Sequence, residues 1–213
     1  MDIAAGKLLD EIGLKHKTDK SSAHHNYLQL YGRLLNNLRE IESTILEIGV
    51  FEGASTRMWR DFLPFAKIVG MDLTKRPGID FGEGVNIEIA DQSNIEHLLR
   101  IGQTHGPFDL IVDDGSHIWD HQITTLRYLF PFVKRGGFYI VEDIHTSFGS
   151  LMDHHRGAGG PTATEYLLSL ASYIAAGDAI ERRAIPDAFF RTFVQQIDFI
   201  LFSRHTSILK RRD

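Results

Sequence analysis

Phe108-Asp-Leu-Ile-Val-Asp-Asp-Gly-Ser-His117 is an apolar run that stops at two adjacent carboxylates, turns at a glycine and closes on a histidine. A run of this length bounded by turn residues reads as a buried strand. Stability alone does not favour its ending, because like charges side by side repel and each needs a partner if it is partly buried. Gly137-Phe-Tyr-Ile-Val-Glu-Asp-Ile-His145 repeats the design, with Glu142 and Asp143 at the strand end and His145 two residues on. Two neighbouring strands of this kind would bring four carboxylates and two imidazoles to one edge of a sheet. That combination reads as a site.

Outward from these runs, short apolar stretches alternate with amphipathic ones from Ser43 onward. Strands are expected at residues 44–50, 67–73, 86–90, 108–112 and 137–141, and helices at 55–62, 95–101 and 121–133. Such alternation argues for an α/β fold, a parallel sheet covered on both faces with right-handed connections. Residues 1–43 read as helical, with Tyr27, Leu28, Leu30, Tyr31, Leu34, Leu35 and Leu38 at helical spacing. Thr18-Asp-Lys-Ser-Ser22 breaks that segment in two, and Ser21 or Ser22 is placed to cap the second piece. Residues 149–164 include Gly157, Gly159, Gly160 and Pro161 and read as a mobile loop, either a lid or a plain crossover. Further helices are expected at 164–176 and 186–193, and an antiparallel hairpin from 194–203 and 206–210 at the sheet edge.

With 213 residues, 43% hydrophobic and 24% charged, the composition is that of a globular protein able to bury a core without staples. One domain over 1–213 is expected: a helical segment 1–43, a core 44–147, a substrate-side loop and helices 148–193, and the hairpin 194–213. A net charge of −5 offers no general attraction to nucleic acid, and Lys210-Arg211-Arg212 reads as a solvated chain end. The absence of cysteine excludes disulfides, thiolate metal sites and a thiol nucleophile. The first ten residues are too polar for a signal peptide, and no apolar run approaches membrane-spanning length. No membrane partner is expected, and cytoplasmic residence is the default.

The first strand leads into Ile45-Leu-Glu-Ile-Gly-Val-Phe-Glu-Gly-Ala-Ser-Thr56. Gly49 and Gly53 permit a tight turn and close backbone approach at a helix N-terminus, and Ser55 is grouped with them. Phe51 stands where a dinucleotide loop carries its middle glycine, so a nucleoside suits the turn better than a pyrophosphate. The next strand ends in Asp72, about twenty residues on, where a carboxylate can accept from both ribose hydroxyls. Asp91, after the third strand, could accept from an adenine amino group. Glu47, Gly49, Gly53, Asp72, Asp91 and Asp113 at successive strand ends form a stronger signal together than any one alone.

Over roughly residues 44–147 the chain resembles the class I S-adenosylmethionine-dependent methyltransferases. Within them it resembles the metal-dependent sugar O-methyltransferases of macrolide, aminocoumarin and rhamnosylated-polyketide pathways. The carrying residues are Glu-Ile-Gly-Val-Phe-Glu-Gly at 47–53, Asp-Asp-Gly-Ser-His at 113–117 and Val-Glu-Asp-Ile-His at 141–145. Thr18-Asp-Lys20 with His25, Tyr27 and Tyr31 is a further match. The resemblance implies a Rossmann-like, seven-stranded, mostly parallel sheet with an antiparallel C-terminal hairpin. It implies S-adenosylmethionine as cofactor, Asp114, Glu142 and Asp143 as ligands of Mg²⁺ or Mn²⁺, Asp113 on the cofactor side, and His117 as general base beside Asp114.

Methyl transfer from a sulfonium to an alcohol needs two reactants in line and removal of a proton from a weakly acidic hydroxyl. A dication acidifies an oxygen bound to it, hard carboxylates suit Mg²⁺ or Mn²⁺, and imidazole is basic yet largely neutral near pH 7. The resemblance further implies an ion that binds two neighbouring substrate hydroxyls. It implies as partner a glycoside or saccharide, free, within a glycosylated natural product or in a polysaccharide. The base, His117 or a carboxylate, is left open, as is homo-oligomerisation. Two other readings stand beside this one: a cephalosporin hydroxylase-like oxygenase using His117 and His145 at iron, and a nucleoside-binding module without turnover.

Overall fold

The computed structural model describes residues 2–177 and 187–213. They fall into two compact units, Met1–Asp91 and Gln92–Asp213.

The first unit opens with α1 (Ile3–His16), started by the Asp2 carboxylate accepting from the N–H groups of Ala4 and Ala5. Next comes α2 (Leu28–Leu35), preceded by Tyr27 with no side-chain cap. Neither Ser21 nor Ser22 serves as the expected cap. Residues between the helices fold into turns of their own, Ser21 Oγ donating to the Thr18 carbonyl and Ser22 N–H to Asp10. Strands β1 (Ser43–Ile48), β2 (Ala66–Asp72) and β3 (Val85–Ile89) pair in parallel, with α3 (Ala54–Phe62) between β1 and β2. Ile45 aligns with Ile68, and Ile68 with Val85. β1 is almost entirely buried, while β3, at the sheet edge, is half-exposed along its length.

In the second unit, α4 (Ile95–His105) is capped by Asn94 and feeds β4 (Phe108–Asp113), buried at every residue. α5 (Trp119–Leu129) ends earlier than the pattern predicts. Pro131 lies in the tight turn Phe130–Phe132, and β5 (Val133–Val141) starts at once. β4 and β5 pair in parallel with Asp113 beside Val141. The terminal strands β6 (Ile197–Ser203) and β7 (Thr206–Arg211) form the expected antiparallel hairpin, and β7 also runs antiparallel to β5. The seven-stranded order is β3-β2-β1-β4-β5-β7-β6, a mostly parallel Rossmann-like α/β sheet closed by an antiparallel hairpin.

The glycine-rich stretch expected to be a loop contains a turn at Gly149–Leu151 and a short α6 (Met152–His155). It ends at a capping box in which Thr162 and Glu165 satisfy each other's backbone N–H, starting α7 (Ala163–Ala176). α8 (Ala188–Phe193) follows, and Pro186, where that helix was expected to start, lies outside the described residues. Among the described residues no helix is long and apolar enough to cross a membrane.

Candidate active site

In the first unit the glycine turn and Asp72 come together. Gly49 N–H donates to the Met71 carbonyl (2.9 Å) and Gly53 N–H to Val50 (2.8 Å), closing a turn in which Gly49, Phe51 and Gly53 have positive φ. One Asp72 oxygen accepts from the N–H groups of Val50 and Phe51, each at 2.9 Å, and the other accepts from Thr74 N–H at 3.2 Å. The carboxylate expected to meet a ribose thus also pins the turn. With about four lone-pair positions and three of them used by backbone N–H groups, it keeps room for one further donor, such as a single ribose hydroxyl.

Glu47 is fully buried, one oxygen accepting from Thr56 Oγ1 and the other from Trp59 Nε1 at 3.1 Å. Its position on β1 aims it at α3 and leaves it no surface for a ligand to touch. Ser55 is buried in the first turn of α3, and Asp91 is half-buried after β3. Gly53 has φ 73°, and a Cβ there would run into the Phe81 ring. Gly53→Ala is therefore expected to cost about 1–3 kcal/mol, read as a lower Tm. An unchanged Tm would contradict this account of the turn.

In the second unit the two carboxylate pairs behave alike. Asp113 and Glu142 are buried, 0% and 1% exposed, whereas the Asp114 and Asp143 side chains retain 20% and 17%. Successive residues at a strand end point to opposite sides, so only the second member of each pair is presented outward. Asp113 turns inward. Its Oδ1 accepts from Gln92 Nε2 (2.6 Å) and Gly115 N–H (3.4 Å), and its Oδ2 from the Tyr139 hydroxyl (3.5 Å). Burial, reinforced by the neighbouring Asp114 charge, pushes the Asp113 carboxyl up to about 7 against the pull of these donors. Burial and the facing Asp113 raise the Tyr139 hydroxyl well above its ordinary 10.

Asp114, His117 and Asp143 each offer a ligand atom within 4.8 Å of the others. His117 Nε2 lies 3.9 Å from Asp114 Oδ1 and 3.6 Å from Asp143 Oδ2. Among the described residues this trio forms the metal-sized cluster, and Glu142 is not in it. The Glu142 backbone is held instead, its N–H on the Asp113 carbonyl and its carbonyl on Gln122. The donor set, two hard carboxylates and one imidazole, fits a divalent cation.

His117 and Asp143 both take left-handed backbone, φ 57° and 55°, which non-glycine residues keep only where the surroundings impose it. Thr146 supplies part of that hold, its hydroxyl 3.3 Å from the His117 carbonyl and 3.0 Å from that of Asp143. Trp119 Nε1 in turn donates to the Thr146 carbonyl at 3.2 Å. His145 stacks on His205 of the β6–β7 turn at 4.2 Å, with its Nδ1 3.8 Å from Asp143. Sequence reasoning missed Gln92 and Thr146. A polar residue shortly after the third strand, and one shortly after the second acidic strand end, were the available signals.

The structure superposes on the MycE methyltransferase of the mycinamycin pathway in complex with Mg, SAH and mycinamycin VI. The TM-score is 0.83 at 28% identity, over 96% of this chain and 53% of that one. A second MycE structure, with Mg and SAH, gives 0.81 at 30% identity, covering 96% and 54%. The chain thus has the Rossmann-like class I methyltransferase fold seen in MycE. Its sequence relatives are sugar O-methyltransferases. The tetracenomycin rhamnosyl 3'-O-methyltransferase of Streptomyces olivaceus is 35% identical over 147 residues, 66% of this chain and 37% of that protein. The mycinamicin VI 2''-O-methyltransferase of Micromonospora griseorubida is 34% identical over 189 residues, 84% of this chain and 45% of that protein. The chain thus spans less than half the length of these two curated relatives. No family model matches it.

Proposed function

We propose that the chain carries out metal-assisted methylation of a sugar hydroxyl in a small-molecule glycoside or saccharide, with S-adenosylmethionine as methyl donor. The observation that carries this reading is the convergence of Asp114, His117 and Asp143 at 4.8 Å or less, at the ends of β4 and β5. The relatives' acceptors, glycosylated tetracenomycin and mycinamicin VI, supply the substrate class.

In this reading Asp114, Asp143 and His117 hold Mg²⁺ or Mn²⁺, and the buried Glu142 supports the turn from behind. A divalent cation there supplies Lewis-acid stabilisation of negative charge developing on the acceptor oxygen. Gly49, Gly53 and Ser55 line the turn that receives the methyl donor, Asp72 accepts from its ribose, and Asp91 from its adenine. Glu47 acts indirectly by fixing α3 to β1. His117 is close enough to both carboxylates to serve either as a third ligand or as the group that takes the acceptor proton.

The balance of charges favours the methyltransferase over the iron-oxygenase alternative. One histidine and two carboxylates meet in the trio, where non-haem iron commonly has two histidines and one carboxylate. The test is calorimetric titration of the full chain with S-adenosylmethionine, alone and with Mg²⁺, followed by transfer assays on rhamnosyl and related deoxysugar glycosides. Binding of both is expected. No nucleoside binding at millimolar concentration would end the proposal, and Fe²⁺-dependent oxygen uptake would transfer it to the oxygenase class.

A further inference from the structure

We infer that Gln92 is a positioning residue for the cation-binding turn, its one amide clamping both ends of Asp113-Asp114-Gly115-Ser116. The inference rests on the reading of Asp114, His117 and Asp143 as the cation site. Gln92 is buried, 6% exposed, at the third position after β3. Its Nε2 donates to Asp113 Oδ1 at 2.6 Å, and its Oε1 accepts from Ser116 N–H at 2.9 Å. The orientation of the amide is set by its neighbours, since the reverse would oppose oxygen to oxygen at one end and N–H to N–H at the other.

Asp114 and Gly115 lie between those two anchor points, and His117 follows immediately. Ser116 is tied further, its Oγ 2.9 Å from His121 Nδ1 on α5. The turn is thus held through Asp113 and Ser116, neither of which belongs to the trio. His117 meanwhile adopts a left-handed backbone that needs outside support. Gln92 does not belong to the trio either. It acts by setting where Asp114 and His117 present their ligand atoms, the kind of outer support that commonly changes metal affinity about 10–100-fold.

A hydrocarbon of matching length removes both bonds and keeps the volume, which makes Gln92→Met the main variant. Gln92→Glu keeps the acceptor toward Ser116 but sets a carboxylate against Asp113. Mn²⁺ is the probe for the full-length chain, followed by electron paramagnetic resonance, with SAH affinity measured separately by calorimetry. The expected result is Mn²⁺ binding about 10–100-fold weaker in Gln92→Met, with an altered spectrum of the bound ion. SAH affinity should stay within about threefold, a change below 1 kcal/mol. A purely structural residue would lower Tm without this separation.

Wild-type Mn²⁺ affinity and spectrum in a folded Gln92→Met would overturn the inference. If Gln92→Met does not fold, the same criteria applied to Gln92→Glu decide it. Asp114→Asn separates the two levels of the argument. Loss of Mn²⁺ in Asp114→Asn with full retention in Gln92→Met sinks only the positioning role, whereas no Mn²⁺ binding by the wild type sinks the site reading and the inference together.

Discussion

An Asp114→Asn variant is expected to bind Mg²⁺ or Mn²⁺ on the order of 100-fold more weakly than the wild type and to lose methyl transfer at least as far, with SAH affinity within about tenfold. The asparagine keeps the shape of the turn and removes one of the two carboxylate charges in the trio. A neutral amide oxygen is a much poorer partner for a small dication than a carboxylate. The methyl-donor half should feel little of this, because Gly49, Gly53 and Asp72 are organised by hydrogen bonds within the first unit.

Asn and wild type with equal metal affinity would show that the trio holds no cation. His117→Ala then divides the two roles open to the imidazole. If His117 only takes the proton, transfer falls while Mn²⁺ affinity stays. If it is a ligand, both fall together.

Asp113→Asn is expected to be more stable than the wild type at pH 8, with the advantage shrinking toward pH 4. The sign follows from where the proton sits. Burial lifts the folded-state carboxyl from 3.8 to about 7, so between those values the native chain keeps a proton that the unfolded chain has released. Stability therefore falls as pH rises through this window and levels off above it. The interval corresponds to at most about 4 kcal/mol.

Asparagine cannot ionise, yet its oxygen can still accept from Gln92 and its amide can face Tyr139, so the pH-dependent loss disappears while the packing survives. The measurement is thermal or urea unfolding of both proteins in chelator at pH 5 and pH 8, where effects of titrating groups not coupled to Asp113 cancel in the difference. A difference that is constant with pH, or that grows toward acid, would show that Asp113 is ionised throughout.

The gathering of carboxylates was visible in the linear chain because both acidic pairs close apolar runs, and a strand that long has only one polar end at which to gather them. Which members of the pairs form the trio was not. Glu142 and Asp143 both carry carboxylates, and only the pleat and the left-handed backbone of Asp143 turn the second outward and leave the first 1% exposed. The same alternation buries Asp113 beside an exposed-side Asp114. The pattern of period two was present in the letters, but the phase was not, since the phase depends on how the strand sits in its sheet.

The short end of α5 is a local instance of the same limit. Helical spacing persists past Leu129, yet Pro131 and the pairing of Val133 with Phe108 claim those residues for the turn and β5. By itself the sequence determined the α/β alternation, the antiparallel C-terminal hairpin, the glycine turn and the clustering of carboxylates at strand ends, because each follows from periodicity or turn chemistry within a few neighbouring residues. Only the tertiary structure decided that His117 joins Asp114 and Asp143, that Asp72 pins the glycine turn, and that Gln92, 21 residues from Asp113, spans the acidic turn. Apart from the short span between Asp114 and His117, those facts rest on the proximity of residues far apart in the chain, which meet only once the strands have found their register.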